Sequence, residues 1–367
     1  MIKIDKPTLI VNKNIARRNI KLMAKKASDN GLVLTPHFKT HQSKEIGRWF
    51  REETIETITV SSVSMAEYFA EDSWKHITIA FPVNILEIHK IANLATIVDL
   101  TLLVTDKEQI KVLLQEVDVY VNILIEIDTG SKRSGLNPAN GKLISEMIDS
   151  LSSTQHHFKG FYSHFGHTYN AASRVEVESI YRESLNIMKD LKHTHAYAKP
   201  TISIGDTPSC SIINDFAEVK SIHAGNFVFY DLTQAQIGSC KEEDIAIALA
   251  CPVVSKNAER NEIIIYGGGV HLSKESLLDN ETKTSIFGKI VTFSEHGWSR
   301  SIPGCYVRSI SQEHGVVKLT AEAFHKIKIG DVIGVLPVHS CMTADVMCGY
   351  VDLSGDSVDH LKAHWAV

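Results

Sequence analysis

The sequence predicts a (β/α)8 barrel followed by a separate antiparallel β domain. Three observations carry that reading. Short β-branched runs alternate with helix-patterned stretches through the first two thirds of the chain, as in parallel strands joined by helical crossovers. Near residue 245 the pattern changes to successive strand-like runs with no helices between them. The 367 residues suit a large barrel plus an added module better than one small domain. The expected division is a barrel over 1–244 and a β domain over 245–367, with the first ten or so residues free to pack on the latter.

In chain order, NIARRNIKLMAKKASDNG is the first helix, stopped by Gly31. Strands follow at LVLTPHF (32–38), TITVSS (57–62), ITIAFP (77–82), LTLLVT (100–105), VNILIEID (121–128), FKGFYSH (158–164), TISIGD (201–206) and VKSIHAG (219–225). DKEQIKVLLQEV, after the fourth strand, reads as one of the crossover helices. The later runs IAIALACPVVSK, NEIIIYGG, GKIVTFSEHGW, HGVVKLT and GDVIGVLPVHS are read as strands of the β domain. GGGVHLS matches neither GxGxxG nor a Walker loop and is read as a turn in that domain.

Composition removes several classes of function. With 44% hydrophobic and 22% charged residues the chain can bury a large core. A net charge of -5 with interspersed signs lacks the basic stripe of a nucleic-acid binder, and no apolar run is long enough to span a membrane. The N-terminal stretch has no signal-peptide pattern, so a cytoplasmic protein is expected. The six cysteines lack CxxC spacing and are expected to be reduced thiols.

In a (β/α)8 barrel the active residues gather at the C-terminal strand ends. HFKTH, EIDTGSKR, YSHFGHTY, GDTPS and HAGN all fall at such ends. The loops after the last two strands commonly bind phosphate in this fold, and GDTPS offers the hydroxyls of Thr207 and Ser209 while Gly225 and Asn226 offer close backbone. GDTPS is equally a good turn and helix start without a ligand. Lys39 closes the first strand. A phosphate site opposite a strand-end lysine suggests pyridoxal phosphate held as a Schiff base, since a partly desolvated amine serves as nucleophile and then base. A solvated lysine on the barrel rim is the plainer account. On a strand, His37 and Lys39 would point to the same side.

Near the C-terminus, His339 and Cys341 sit two apart on an expected strand and would share one face. Imidazole and thiolate together suit zinc, although a hydrogen-bonded histidine beside a buried cysteine explains the same pair.

PHFKTH resembles the lysine motif of the D-serine dehydratase and D-threonine aldolase group, the metal-assisted branch of the alanine racemase-like, fold-type III pyridoxal phosphate enzymes. The resemblance runs through nearly the whole chain, at EIDTGSKRSG, YSHFGHTY, GDTPS, HAGNFVFYD, SQEHG and PVHSC. It implies Lys39 as the Schiff-base lysine, with Tyr162, Tyr169, Thr207, Gly225 and Asn226 around the cofactor. It also implies His339 and Cys341 as a metal pair, with zinc favoured over manganese or magnesium because the aldolases tend to carry aspartate at the second place. A homodimer is implied as well. One departure is SKRSG, where relatives usually have a second glycine before the arginine, here Arg133. Asp345 and Cys348 lie near the pair without an assigned role, and His37 and His41 are left as supporting groups.

The chemistry expected is removal of an α-proton by Lys39 and departure of a β-hydroxyl, turning D-serine into pyruvate and ammonia. Cleavage of a D-3-hydroxy amino acid such as D-threonine to glycine and an aldehyde is the alternative, and a racemase a further one that lacks a distinct second base in the β domain. A single-barrel cofactor-binding protein would end soon after the eighth strand, and a metal-only hydrolase would leave Lys39 unexplained.

Overall fold

The computed structural model describes residues 3–280 and 283–364. Eight parallel strands form one sheet: β2 (Val33–Leu34), β3 (Thr57–Val60), β4 (His76–Pro82), β5 (Asp99–Val104), β6 (Asn122–Glu126), β7 (His157–Ser163), β8 (Thr201–Ile204) and β9 (Val219–Ile222); β1 (Thr8–Val11) lies outside it. Its order is β2-β9-β8-β7-β6-β5-β4-β3. Closure comes from a parallel bridge between His37 and Thr59, with Thr59 N donating to Pro36 O at 2.9 Å. The strands are short because each runs only as far as its β-branched stretch. Val60 is followed by Ser62, which caps the next helix, and Val104 by Asp106, whose carboxylate closes a capping box with Gln109.

Buried apolar side chains fill the barrel, among them Leu103, Leu124 and Tyr162. Phe38, fully buried, packs against Phe50, Phe69 and Trp74 with ring centroids 4.9–5.1 Å away. That cluster fixes the backbone immediately before Lys39.

A second sheet has nine strands, in the order Glu262–Tyr266, His314–Lys318, Tyr306–Ile310, Gly288–Val291, Val332–Pro337, Ile247–Asn257, β1, Tyr350–Asp352 and Ser357–Val358. The first of these also pairs with Ile247–Asn257, so the sheet curls on itself. Every pairing is antiparallel except that of β1 with Tyr350–Asp352. Leu232, Ile245, Ala248, Val291, Leu336 and Val338 form a core cluster there.

The compact units are interleaved along the chain. One comprises Leu22–Lys39 and Phe50–Gly225; the other comprises Met1–Lys21, Thr40–Trp49 and Asn226–Val367. The expected division after residue 244 allowed the first ten or so residues to pack on the β domain, where β1 pairs with Ile247–Asn257; it differs from these units at Asn226 and at Thr40–Trp49, where Tyr350 Oη donates to His41 O at 2.7 Å. GGGVHLS, expected as a turn, contains the short helix Gly269–Leu272. Among the described residues no helix is long and apolar enough to cross a membrane.

Candidate active site

Lys39 does not lie on a strand. β2 ends at Leu34, and Lys39 sits in a 3₁₀ turn, Phe38–Thr40. Thr35 N and His37 N still bond to the β9 side, but Pro36 has no N–H to continue the ladder, and Phe38 turns into its aromatic cluster. His37 and Lys39 are therefore not neighbours on one strand face; they meet through the turn, with Lys39 N donating to His37 Nδ1 at 3.4 Å.

Around this turn the imidazoles are held neutral. Burial drives His37 well below the ordinary histidine range, helped by the nearby charges of Lys39 and Arg133. His164 falls to about 3 through burial and then Arg133 and Lys39; its Nδ1–H donates to Gly205 O, which fixes its tautomer. His223, also brought to about 3 by burial, is bonded through both ring nitrogens, to Thr59 Oγ1 at 2.7 Å and Ser221 Oγ at 3.0 Å, and meets the Tyr162 ring edge-on at 5.3 Å. Lys39 and Arg133 are the cations that act on both His37 and His164, a setting that suits an anionic ligand.

These histidines give an expected pH dependence. His164 and His223 take up protons near 6.5 when unfolded but only near 3 when folded. Their contribution to stability is full above pH 6.5 and declines as pH falls toward 3, by about 1.4 kcal/mol per pH unit for each ring. Urea unfolding between pH 7 and pH 4.5 should show this decline, and His223→Gln should make it shallower. An unchanged slope in the variant would mean that His223 does not contribute.

The helix Thr207–Ile212 starts at Asp206, whose Oδ2 accepts from Ser209 N at 2.7 Å and Thr168 Oγ1 at 2.9 Å. Burial pushes the Asp206 carboxyl up to about 6 against the pull of these bonds. Thr168 belongs to the same turn as half-buried Tyr169, whose Oη accepts from Thr207 N at 3.2 Å. Thr207 Oγ1 is buried with no hydrogen-bond partner, and a Cβ on Gly205 would come within 2.5 Å of Tyr162 Oη. A buried hydroxyl without a partner calls for an acceptor, and a phosphate oxygen would satisfy it. Lys39, Tyr162, Tyr169 and Thr207 thus fit pyridoxal phosphate within one unit, to which half-buried Gly225 also belongs.

Arg133 lies in a loop tied down at both ends. Leu136 N donates to Glu126 O at 2.8 Å, Asp128 N donates to Leu136 O at 2.9 Å, and Ser134 Oγ donates to Glu126 Oε1 at 2.8 Å. Lys132 has φ 53°, a left-handed conformation that glycine adopts without strain, in keeping with the glycine expected before the arginine. Arg133 still reaches far enough to influence Tyr162, whose hydroxyl is raised mainly by burial. Glu126, His164, His223 and Asp206 are site residues that motif reading passed over, although all lie in the strand-end motifs it singled out.

Asn226 belongs to the other compact unit, at the start of its third segment. Its Nδ2 donates to Asp231 Oδ2 at 2.6 Å and Ser340 Oγ at 3.0 Å and lies 3.6 Å from Cys341 Sγ. His339 and Cys341 are not on a strand as expected. Val332–Pro337 ends at a residue without an N–H, and Asp231 Oδ2 receives Ser340 N at 3.0 Å, so a helix, Ser340–Met347, starts there instead. His339 is its N-cap residue and Cys341 lies in its first turn. Thr40 Oγ1 is 3.3 Å from Cys341 Sγ, and Glu275 Oε2 accepts from His339 Nδ1 at 2.5 Å.

Burial opposes charge on both residues, but the neighbouring Cys341 and Glu275 raise the His339 imidazole, and His339 and Thr40 lower the Cys341 thiol. A thiol pulled toward thiolate beside an imidazole is a donor set that fits zinc. Among the described residues no cluster of three or more histidine, cysteine or carboxylate side chains is arranged to hold a metal. Asp345 is engaged by Gln42 Nε2 at 2.8 Å and Lys362 Nζ at 2.5 Å, and Cys348 Sγ by Asp345 O at 3.3 Å.

Two known families span this architecture. The alanine racemase N-terminal domain matches residues 11–231, and the "Putative serine dehydratase domain" matches residues 246–352. The chain belongs to the alanine racemase-like D-serine dehydratase and D-threonine aldolase family. The enzymes of this family depend on pyridoxal phosphate, and the chain is one of its lyases. D-serine dehydratase of Dictyostelium discoideum is 27% identical over 99% of this chain and 98% of its own length. D-threo-3-hydroxyaspartate dehydratase of Delftia sp. (strain HT23) is 24% identical over 97% and 96%. A solved structure of D-threo-3-hydroxyaspartate dehydratase, a cysteine-to-alanine mutant in the metal-free form, superposes with a TM-score of 0.89 at 23% identity, covering 98% of each chain.

Proposed function

We propose that this chain is a pyridoxal phosphate- and zinc-dependent dehydratase that converts D-serine to pyruvate and ammonia. The observation that carries the reading is the placement of His339 and Cys341 together at the start of one helix, the first as its N-cap residue and the second in its first turn, a soft donor pair suited to zinc. Pyridoxal phosphate, when bound, supplies an aldehyde for a lysine amine and an electron sink for a carbanion, and zinc supplies a Lewis acid for a departing hydroxyl. Lys39 is the amine that holds the cofactor and then takes the α-proton of the substrate. Thr207, Tyr169 and the backbone at Gly225 and Asn226 hold the phosphate, and Tyr162 packs in the barrel beside His223. His164 and His37, neutral at working pH, shape the pocket without competing for the proton. His339 and Cys341 hold the metal. Water leaves across Cα–Cβ and a second water hydrolyses the enamine, so the net products are pyruvate and ammonia. The names of the D-serine and hydroxyaspartate dehydratases support both the reaction and the D configuration. A cytoplasmic homodimer belongs to the same reading.

The test is a product assay on the purified protein with D-serine, L-serine, D-threo-3-hydroxyaspartate and D-threonine. Pyruvate and ammonia from D-serine, lost on chelation and restored by zinc, are expected. Glycine and acetaldehyde from D-threonine, with no pyruvate from D-serine, would replace dehydration by aldol cleavage.

A further inference from the structure

The GGGVHLS stretch has no part in the function proposed above, yet two of its glycines, Gly267 and Gly268, leave no room for a Cβ. Gly267 N and Gly269 N donate to Glu313 O at 2.9 Å and Ser311 O at 2.7 Å, and a Cβ on Gly268 would lie 2.5 Å from Ser311 O. The helix Gly269–Leu272 is therefore seated directly on the 311–313 backbone. Its last residue is tied to the helix that begins beside His339. Buried Thr343 gives its backbone N–H to His339 O at 3.1 Å and its hydroxyl to Leu272 O at 3.2 Å. Ser273 then turns the chain with φ 66°, a conformation that L-residues avoid, and its Oγ accepts from Glu275 N at 3.3 Å. The result of this construction is the 2.5 Å contact of Glu275 Oε2 with His339 Nδ1.

We propose that Glu275 is the positioning residue for the metal-binding histidine. Its carboxylate accepts the Nδ1–H of His339, which fixes the tautomer and the ring orientation and leaves Nε2 as the only nitrogen free to bind a metal. The glycine motif and the strained Ser273 turn are the devices that hold this carboxylate in place. The inference rests on the reading of His339 and Cys341 as a metal pair. A half-exposed carboxylate in an ordinary surface ion pair would not need two helices, a serine brace and a left-handed residue behind it.

The experiment uses the full-length protein with its cofactor, stripped of metal and titrated with Co²⁺ while the thiolate-to-cobalt charge-transfer band is followed, with zinc affinity measured by competition against a chromophoric chelator. Glu275→Ala should weaken both metals roughly 10–100-fold with the charge-transfer band unmoved, since the ligands are unchanged. Glu275→Gln, whose amide carbonyl still accepts from Nδ1–H, should lose less than the alanine variant. Metal affinity of Glu275→Ala equal to wild type would overturn the proposal. So would equal losses in both variants with altered d–d bands, which would make Glu275 a direct ligand. A change in Tm without a change in affinity would leave Glu275 a merely structural residue and also overturn it. Should His339→Ala and Cys341→Ala bind metal as wild type does, the metal pair itself is wrong, a failure separate from that of Glu275.

Discussion

Lys39→Ala is expected to abolish the visible absorption of the bound cofactor and to reduce pyruvate formation by at least about 10²–10⁴-fold, the usual worth of a positioned general base. The surroundings explain why no neighbour can substitute. His164 is too weak a base, held near 3 by burial and by the positive charges around it, and His37 is lowered for the same reasons. Arg133 carries a guanidinium, which is not an imine-forming amine. The backbone at 38–40 is anchored by Phe38 among Phe50, Phe69 and Trp74, so the variant should keep its fold and its thermal midpoint. Small primary amines added to the variant should restore part of the activity, because they replace the missing group in a pocket left intact. Borohydride treatment of the wild type should leave a mass increment on the peptide that contains Lys39. An alanine variant that retains the absorption band and turnover would remove Lys39 from the chemistry.

The barrel was legible because its information is local. Each β-branched run became a strand, with β4 at His76–Pro82 against an expected 77–82, and each cap lies within a few residues of the run it follows. The site was legible only as a set of strand-end motifs. The turn that carries Lys39 depends on Pro36 and on aromatic residues far along the chain. His339 and Cys341 were expected on a strand and lie at a helix start instead, because that start is set by Asp231, 109 residues from Ser340. Glu275 lies 64 residues from His339 and no spacing rule connects them. The glycine expected before Arg133 is a further case: Lys132 adopts the left-handed conformation itself, so a residue type that seemed wrong for the motif still accommodates its geometry. Local periodicity thus reports which element forms, whereas a site depends on contacts between elements distant in the chain.

Cys341→Ala should separate the two halves of the reaction. Pyruvate formation is expected to fall by ~10³-fold, since Lewis-acid assistance to a leaving oxygen is worth several kcal/mol and each 1.4 kcal/mol is about tenfold. Exchange of the substrate α-proton with deuterated solvent should persist, because Lys39, Tyr162, Tyr169 and Thr207 belong to the other compact unit and keep their contacts. Chelation of the wild type should reproduce the same pattern and zinc should reverse it in the wild type alone. The cavity left by the thiol also releases Thr40 and Asn226, but Asn226 retains Asp231 and Ser340 and the helix start retains its bond from Ser340 N, so unfolding is not the expected cause of the loss. Cys341→Asp is the sharper variant: a hard carboxylate in place of a soft thiolate should keep a metal while shifting preference from zinc toward manganese or magnesium. Undiminished pyruvate formation in Cys341→Ala, or activity indifferent to chelation, would exclude a metal from the elimination and leave the Lys39 chemistry standing by itself.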